Sequence, residues 1–250
     1  MNPTKEYEMS TETTPLEGAQ KTLDGGTGEM FDAIAGRYDL LNRIMSLGQD
    51  QYWRKRAVRA LELHGAAEVL DVATGTGDLA IMIARKFPGL QVAGIDPSAN
   101  MIGVGHEKVA AAGLGERVKL EIGDGLALPF EDDSFDGAIV SFGIRNFPDR
   151  FKGLQEMARV TRPGRKVVVL ELSEPRTGPM AVLARTYIHH VVPVIGSTLS
   201  GKKEYRYLQE SIEAFPPAET FVELMAEAGL KGAKATPLSF GAVNLFVGTV

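Results

Sequence analysis

The chain contains no cysteine. That absence excludes disulfides, thiolate metal sites and a cysteine nucleophile, and it leaves a reducing cytoplasm as the default compartment. Basic excess is missing too. Lys and Arg number 27 against 32 Asp and Glu, for a net charge of −5, so a general nucleic-acid binder is not expected. No run approaches the roughly 18 uninterrupted apolar residues that span a bilayer, and the N-terminus lacks the apolar stretch of a signal peptide. Residues 1–28 hold no arginine and more acids than bases, unlike a mitochondrial transit peptide. Their polar, Thr- and Gly-rich composition, with no hydrophobic period, predicts a disordered tail or order gained only on ligand binding.

What is present suits one α/β domain over 29–250. The 250 residues are 44% hydrophobic and 24% charged, the balance of an ordinary globular chain able to bury a core. Phe31, Ile34, Tyr38, Leu41 and Met45 share a helical period that ends at Gly48. A second helix carries Trp53, Ala57, Val58 and Leu61, with Arg54, Lys55, Arg56 and Arg59 alongside. Residues 29–64 thus read as an N-terminal helical cap. The basic cluster reads first as a solvated face and, more sharply, as a surface facing anionic lipid.

Strands and helices then alternate. "AEVLDVA", "LQVAGID", "RVKLEIG", "FDGAIVS" and "RKVVVLELS" are five strand signals. Helical segments separate them, through Phe87, from a Ser98 cap to about Ala112, and near Arg150–Thr161. This is the pattern of a parallel sheet covered on both faces. Residues 178–215 form an inserted, partly apolar helical segment containing His189 and His190. As a lone pair without carboxylates, these histidines are packing or surface residues before they are metal ligands, with His189 near a substrate ring as the alternative. A helix over Pro217–Ala228 follows. "GAKATPLSF" and "AVNLFVGTV" then read as two strands that meet at Gly241 and close the sheet.

"VLDVATGTGDLA" follows the first strand and opens a helix, with Gly75, Gly77 and Ala80 in G-x-G-x-x-G/A spacing. Such a loop brings backbone close to a ligand and offers free N–H groups. Asp96, about 20 residues on at the end of the second strand, can accept bonds from both ribose hydroxyls of a nucleoside. Thr74, Gly75, Thr76, Gly77, Asp96 and Pro97 are therefore candidates for binding an adenosine-type cofactor. NAD and S-adenosylmethionine enzymes share this frame. Asp71, four residues before Gly75, would repel a pyrophosphate and tolerates the ammonium and sulfonium of S-adenosylmethionine. A tight turn capped by Asp71 is the plain alternative. The pattern D-x-x-x-G-x-G resembles the first motif of class I methyltransferases. In that family the acid matching Asp124 approaches the adenine amino group, which brings Asp124 and Gly125 into the site. Ser141, at the end of the fourth strand, either contacts the cofactor's amino-acid part or caps the strand. Asp136 reads as a turn residue, and Asp132 and Asp133 as loop acids without a role.

From Met30 to Val250 the chain resembles the C-methyltransferases of menaquinone and ubiquinone biosynthesis. "YDLLNRIMSLGQDQYW" resembles their N-terminal signature, with Tyr38, Asp39, Asn42, Ser46, Gly48 and Trp53 in register. "SFGIRNFPD" resembles the central motif and "RVTRPGRKVVVLELSEP" the second signature. "GKKEYRYLQESIEAFP" and "SFGAVNLFVGT" resemble the C-terminal blocks. Departures are Leu41 for a usual methionine, Asp50 for a usual histidine and Gly164-Arg165 for a double glycine. The histidine is taken as structural, so the expected activity survives its replacement.

The resemblance implies a class I methyltransferase Rossmann-like three-layer fold, a seven-stranded mostly parallel sheet with an antiparallel C-terminal strand. It implies S-adenosylmethionine as co-substrate, S-adenosylhomocysteine as product and no metal. The implied reaction adds a methyl group to a ring carbon of a polyprenylated quinol, demethylmenaquinol first and the ubiquinone-pathway benzoquinol or another small aromatic second. Arg145 and Asn146 would face the ring oxygens, the guanidinium calming a phenolate and being unsuited to act as a base. A water, Asp124 or Tyr205 would relay the proton. In the alternative, Arg145 is a buried clamp paired with Asp149 or Asp39. Tyr38 would close over the cofactor or simply pack, Trp53 is expected in the core, and Tyr205 and Tyr207, which flank Arg206, would serve as a lid. Residues 179–200 would supply an apolar groove, a membrane-facing mouth or a homodimer face. The expected location is cytoplasmic, with peripheral contact at the inner membrane. An NAD-dependent oxidoreductase and a non-catalytic cofactor-binding scaffold are the competing classes.

Overall fold

The computed structural model describes residues 31–173 and 202–250 apart from Ala33 and Ala66, with backbone alone for residues 202–205. The expected tail over 1–28 lies outside the described residues, as do residues 174–201 with His189 and His190. So does the Tyr205 side chain.

Seven strands form one sheet in the order β3-β2-β1-β4-β5-β7-β6. They are β1 (Glu68–Val72), β2 (Gln91–Asp96), β3 (Val118–Ile122), β4 (Phe135–Ser141), β5 (Thr161–Leu172), β6 (Lys231–Leu238) and β7 (Val243–Thr249). β1 to β5 pair in parallel, while β7 runs antiparallel to both β5 and β6. All seven residues of β4 are buried, which is why "FDGAIVS" is mostly apolar rather than alternating.

Among the described residues the helices are α1 (Tyr38–Met45), α2 (Gln49–Ala60), α3 (Asp78–Lys86), α4 (Ala99–Ala111), α5 (Arg150–Val160), α6 (Lys202–Glu213) and α7 (Ala218–Glu227). The pleat divides the core into two layers. Val69, Ile139, Val168 and Leu170 pack with α2, α3 and α4. Leu70, Val140, Val167 and Val169 pack with α5 and α7. Ser98 caps α4 as expected, its hydroxyl accepting from the Met101 N–H at 3.1 Å.

Two expectations are corrected. The first helical period is not one helix, since a 3-10 turn over Ala35–Arg37 precedes α1. Gly48 is left-handed at φ 75° and starts α2 as well as ending the preceding segment. Asp136 is no turn residue. It lies inside β4, accepts the Glu68 N–H at 3.1 Å and pairs with Arg162 at 2.7 Å and Arg165 at 3.2 Å.

Candidate active site

The strand order reverses between β1 and β4, so the chains leaving these neighbours diverge and open a crevice at the carboxyl edge of the sheet. Both exits turn sharply. Ala73 after β1 and Phe142 after β4 adopt left-handed backbones, at φ 53° and 60°. Each such residue costs about 1–3 kcal/mol, and they gather at functional sites. Gly143 packs against the opposite exit so closely that an added Cβ would lie 2.5 Å from the Cβ of Ala73.

The first cavity in this crevice encloses about 1,090 Å³, its mouth included. Gly75, Asp96, Pro97, Asp124, Gly125 and Asn146 line its polar parts, and Phe31, Tyr38, Met101 and Phe147 its apolar walls. Asp96 accepts the Gly75 N–H at 2.8 Å and the Ser98 N–H at 3.0 Å. Burial raises its pKa, against the pull of those two bonds. Asp124 accepts the Leu126 N–H at 2.9 Å. A pocket with carboxylates at two strand ends and aromatic walls fits a nucleoside carrying a cationic alkyl group.

Five predicted cofactor residues sit behind this wall. Asp71 is buried beneath the loop, where its carboxylate accepts the Thr74 hydroxyl at 2.7 Å. Burial raises its pKa to about 7. It therefore props the glycine loop and lies outside the cavity lining, whereas the sequence reading had it facing the donor. Gly77, at φ 75°, caps α3. Thr76 donates to Asp39 at 2.6 Å, and Lys108 pairs with the same carboxylate. That bond ties α1 to the loop and sets Tyr38 on the cavity. Ser141 is buried, and its hydroxyl has no hydrogen-bond partner among the described residues.

A second, mainly apolar cleft of about 840 Å³, mouth included, lies between α1, α2 and α6. Met45, Trp53, Leu172, Leu208 and Ile212 line it, together with Asn42, Ser46, Asp50 and Arg145. Asp50, at the position of the family histidine, accepts from Ser46 at 3.1 Å and Gln51 at 2.9 Å. Trp53 forms part of the core, as expected, and also the cleft wall, donating its indole N–H to Ser239 at 2.9 Å.

Arg145 and Asn146, adjacent in sequence, serve different cavities. Both belong to a 3-10 turn over Ile144–Asn146, in which successive side chains point about a third of a turn apart. Arg145 lines the apolar cleft, and Asn146 lines the first cavity while accepting the Tyr207 hydroxyl at 2.9 Å. Phe142 is shared by both and stands as the partition. The expectation that Asn146 and Arg145 face one ring side by side is corrected accordingly.

The expected clamp is corrected as well. The partner of Arg145 is neither Asp149 nor Asp39 but Glu171, at 2.8 Å. Glu171 is fully buried in β5 and also accepts the backbone N–H groups of Arg145 and Leu172, at 3.1 and 2.8 Å. Burial lowers the Arg145 pKa, but Glu171 and then Tyr38 outweigh it, so the net direction is upward. The guanidinium is permanently charged. Its Nη1 donates to the Phe142 carbonyl and to Glu171, while its Nε is buried without a hydrogen-bond partner among the described residues. Arg150 donates to the Arg145 carbonyl at 3.0 Å and supports the turn from below.

Residues 19–250 match the model of the ubiE/COQ5 methyltransferase family. The chain belongs to that family. The demethylmenaquinone methyltransferase of Thermus thermophilus is 44% identical over 220 residues, 88% of this chain and 99% of that one. The ubiquinone/menaquinone biosynthesis C-methyltransferase UbiE of Geobacter sulfurreducens is 42% identical over 221 residues, 88% of this chain and 86% of that one. Among solved structures, phosphoethanolamine N-methyltransferase 2 of Haemonchus contortus, in complex with S-adenosyl-L-methionine, has a TM-score of 0.64 at 16% identity. The alignment covers 88% of this chain and 59% of that one. At that identity the likeness concerns the fold, a class I methyltransferase architecture.

Two members of the site escaped the sequence reading. Glu171 had a signal, a lone carboxylate inside the run "VVVLEL", since an acid in a central strand must meet a cation. Phe142 had none, because a left-handed aromatic residue leaves no compositional mark.

Proposed function

We propose that the chain is an S-adenosylmethionine-dependent C-methyltransferase of a polyprenylated quinol, converting demethylmenaquinol to menaquinol. The observation that carries this reading is the pair of cavities meeting at Phe142, one suited to an adenosine-type cofactor and the other apolar with a single guanidinium. Family membership and the two curated relatives point the same way. The ubiquinone-pathway benzoquinol is the second substrate, favoured by the double name of the Geobacter relative.

Bound in the first cavity, the cofactor supplies an electrophilic methyl group. Tyr38 and the bond from Asp39 to Thr76 hold α1 over that cavity as a cap. Met45, Trp53 and Leu208 hold the ring and the start of its tail. A ring carbon becomes nucleophilic when a neighbouring hydroxyl loses its proton, and Arg145, in the cleft wall, stabilises the phenolate oxygen with its charge. Tyr207 is no base at neutral pH, because burial raises its pKa, against the charge of Arg145. The proton leaves to water, directly or through Asp124. Asn146 fixes the turn that orients Arg145, and alignment of carbon, methyl and sulfur supplies much of the rate.

The test is purified chain with S-adenosylmethionine and a short-tailed demethylmenaquinol, read by mass spectrometry. The expected product is one methylene heavier than the acceptor. Arg145→Ala should lose turnover by about two orders of magnitude or more while binding the cofactor as before, since Arg145 lines only the other cavity. Unchanged turnover overturns its role. Tight binding of NADH in place of S-adenosylmethionine overturns the reading as a whole. A polyprenylated acceptor resides in the bilayer, so a cytoplasmic enzyme in peripheral contact with the membrane follows from this reading. No helix among the described residues is long and apolar enough to cross a membrane.

A further inference from the structure

The two helices that wall the apolar cleft also border a concavity of opposite chemistry. It encloses about 1,110 Å³, mouth included, between α1, α2 and α3. Five cations line it, Arg43, Lys55, Arg59, Arg85 and Lys86. None of the five forms an ion pair among the described residues. The one lining carboxylate, Asp78, is held by Lys108. The crowding is felt locally, since burial and then the charge of Arg59 lower the Lys86 pKa. In a chain of net charge −5, such a cluster repels itself and attracts an anionic partner.

Exposed apolar side chains lie on the same two helices and on the turn between them. Leu40 is 58% exposed, Leu47 72% and Tyr52 48%, three of the five large hydrophobic residues exposed among those described. Leu40 and Arg43 are one turn apart on α1. Leu47 directly follows Ser46, a wall of the apolar cleft.

We propose that this cationic face of α1, α2 and α3, flanked by exposed leucines, docks on an anionic phospholipid bilayer. The inference rests on the reading of the acceptor as a polyprenylated quinol, and it assigns the surface by which the enzyme reaches the bilayer that holds that acceptor. Cations meet the headgroups while Leu40 and Leu47 enter the acyl boundary. A nucleic acid would match the charge but leave the leucines without a partner.

The test is sedimentation of the full chain with vesicles of phosphatidylcholine alone or mixed with phosphatidylglycerol. The chain should bind the mixed vesicles, less strongly as salt rises. Lys55→Gln/Arg59→Gln/Arg85→Gln should weaken that binding roughly a hundredfold and leave turnover of a short-tailed acceptor unchanged. Leu47→Ser should weaken what binding the triple variant retains. Lys231→Gln/Lys234→Gln, on β6, should change nothing. Equal binding to both vesicles, or a triple variant that binds like the parent, overturns the docking. So does retention on heparin without vesicle binding, which would give the patch to another polyanion. Failure to methylate the short-tailed acceptor, with vesicle binding intact, overturns the enzymatic reading and leaves the surface standing.

Discussion

Replacing Glu171 by glutamine removes one charge and almost no volume. The parent carboxylate faces the Arg145 guanidinium at 2.8 Å. At an effective dielectric of about 20 that attraction is roughly 6 kcal/mol, much of it offset by the cost of drying both ions. The variant keeps that cost for Arg145 and loses the compensating charge, leaving neutral acceptors, the Phe142 carbonyl at 2.6 Å and the new amide oxygen. Arg150 is close enough for Arg145 to lower its pKa, after burial, so two guanidinium groups would repel each other without their shared anion. Breaking a buried pair typically costs about 3–5 kcal/mol, a large part of a total of about 5–15 kcal/mol. Equilibrium urea unfolding of Glu171→Gln should show a loss in that range. Arg145→Met/Glu171→Gln should recover at least about 1 kcal/mol of it, because no unpaired charge remains at that pair. A loss below about 1 kcal/mol, or strict additivity in the double variant, would refute the account of Glu171 as the counter-ion that allows Arg145 to be buried.

Other outcomes follow from the same geometry. Asp71 has its pKa raised to about 7 by burial, so its contribution to stability is complete below about pH 4 and is lost as pH rises through about 7. Asp71→Asn should lack that decline and exceed the parent by a few kcal/mol at pH 8; parallel unfolding profiles at pH 5 and 8 would contradict it. Gly143→Ala should cost about 1–3 kcal/mol and weaken binding of S-adenosylmethionine, measured by calorimetry, because its new methyl meets the Ala73 Cβ in the cavity wall. Asp39→Ala should change stability by less than about 1 kcal/mol, its pairing with Lys108 being partly exposed. It should nevertheless weaken cofactor binding severalfold by freeing α1 from Thr76.

The legible parts of the protein were those whose physics is local. The Ser98 cap, the Gly77 that starts α3 and the buried, mostly apolar β4 each lie within a few residues of their cause. The partners of buried charges were not legible. Arg145 was read against Asp149 and Asp39, yet it meets Glu171, 26 residues away. The two are neighbours because β4 pairs with β5 and the 3-10 turn folds back over that pair. Asp136 looked like a turn residue for the same reason, since Arg162 and Arg165 reach it only across the sheet.

The sequence by itself determined the parallel sheet, the glycine loop, the acid at the end of β2 and the family. These follow from hydrophobic period and from motifs whose spacing is read along one chain. Tertiary structure alone decided that Asp71 lies under the loop, that Arg145 and Asn146 serve separate cavities and that Phe142 divides them. Each depends on the direction of a side chain after a turn, which is set by the neighbouring strands and by burial rather than by position in the sequence.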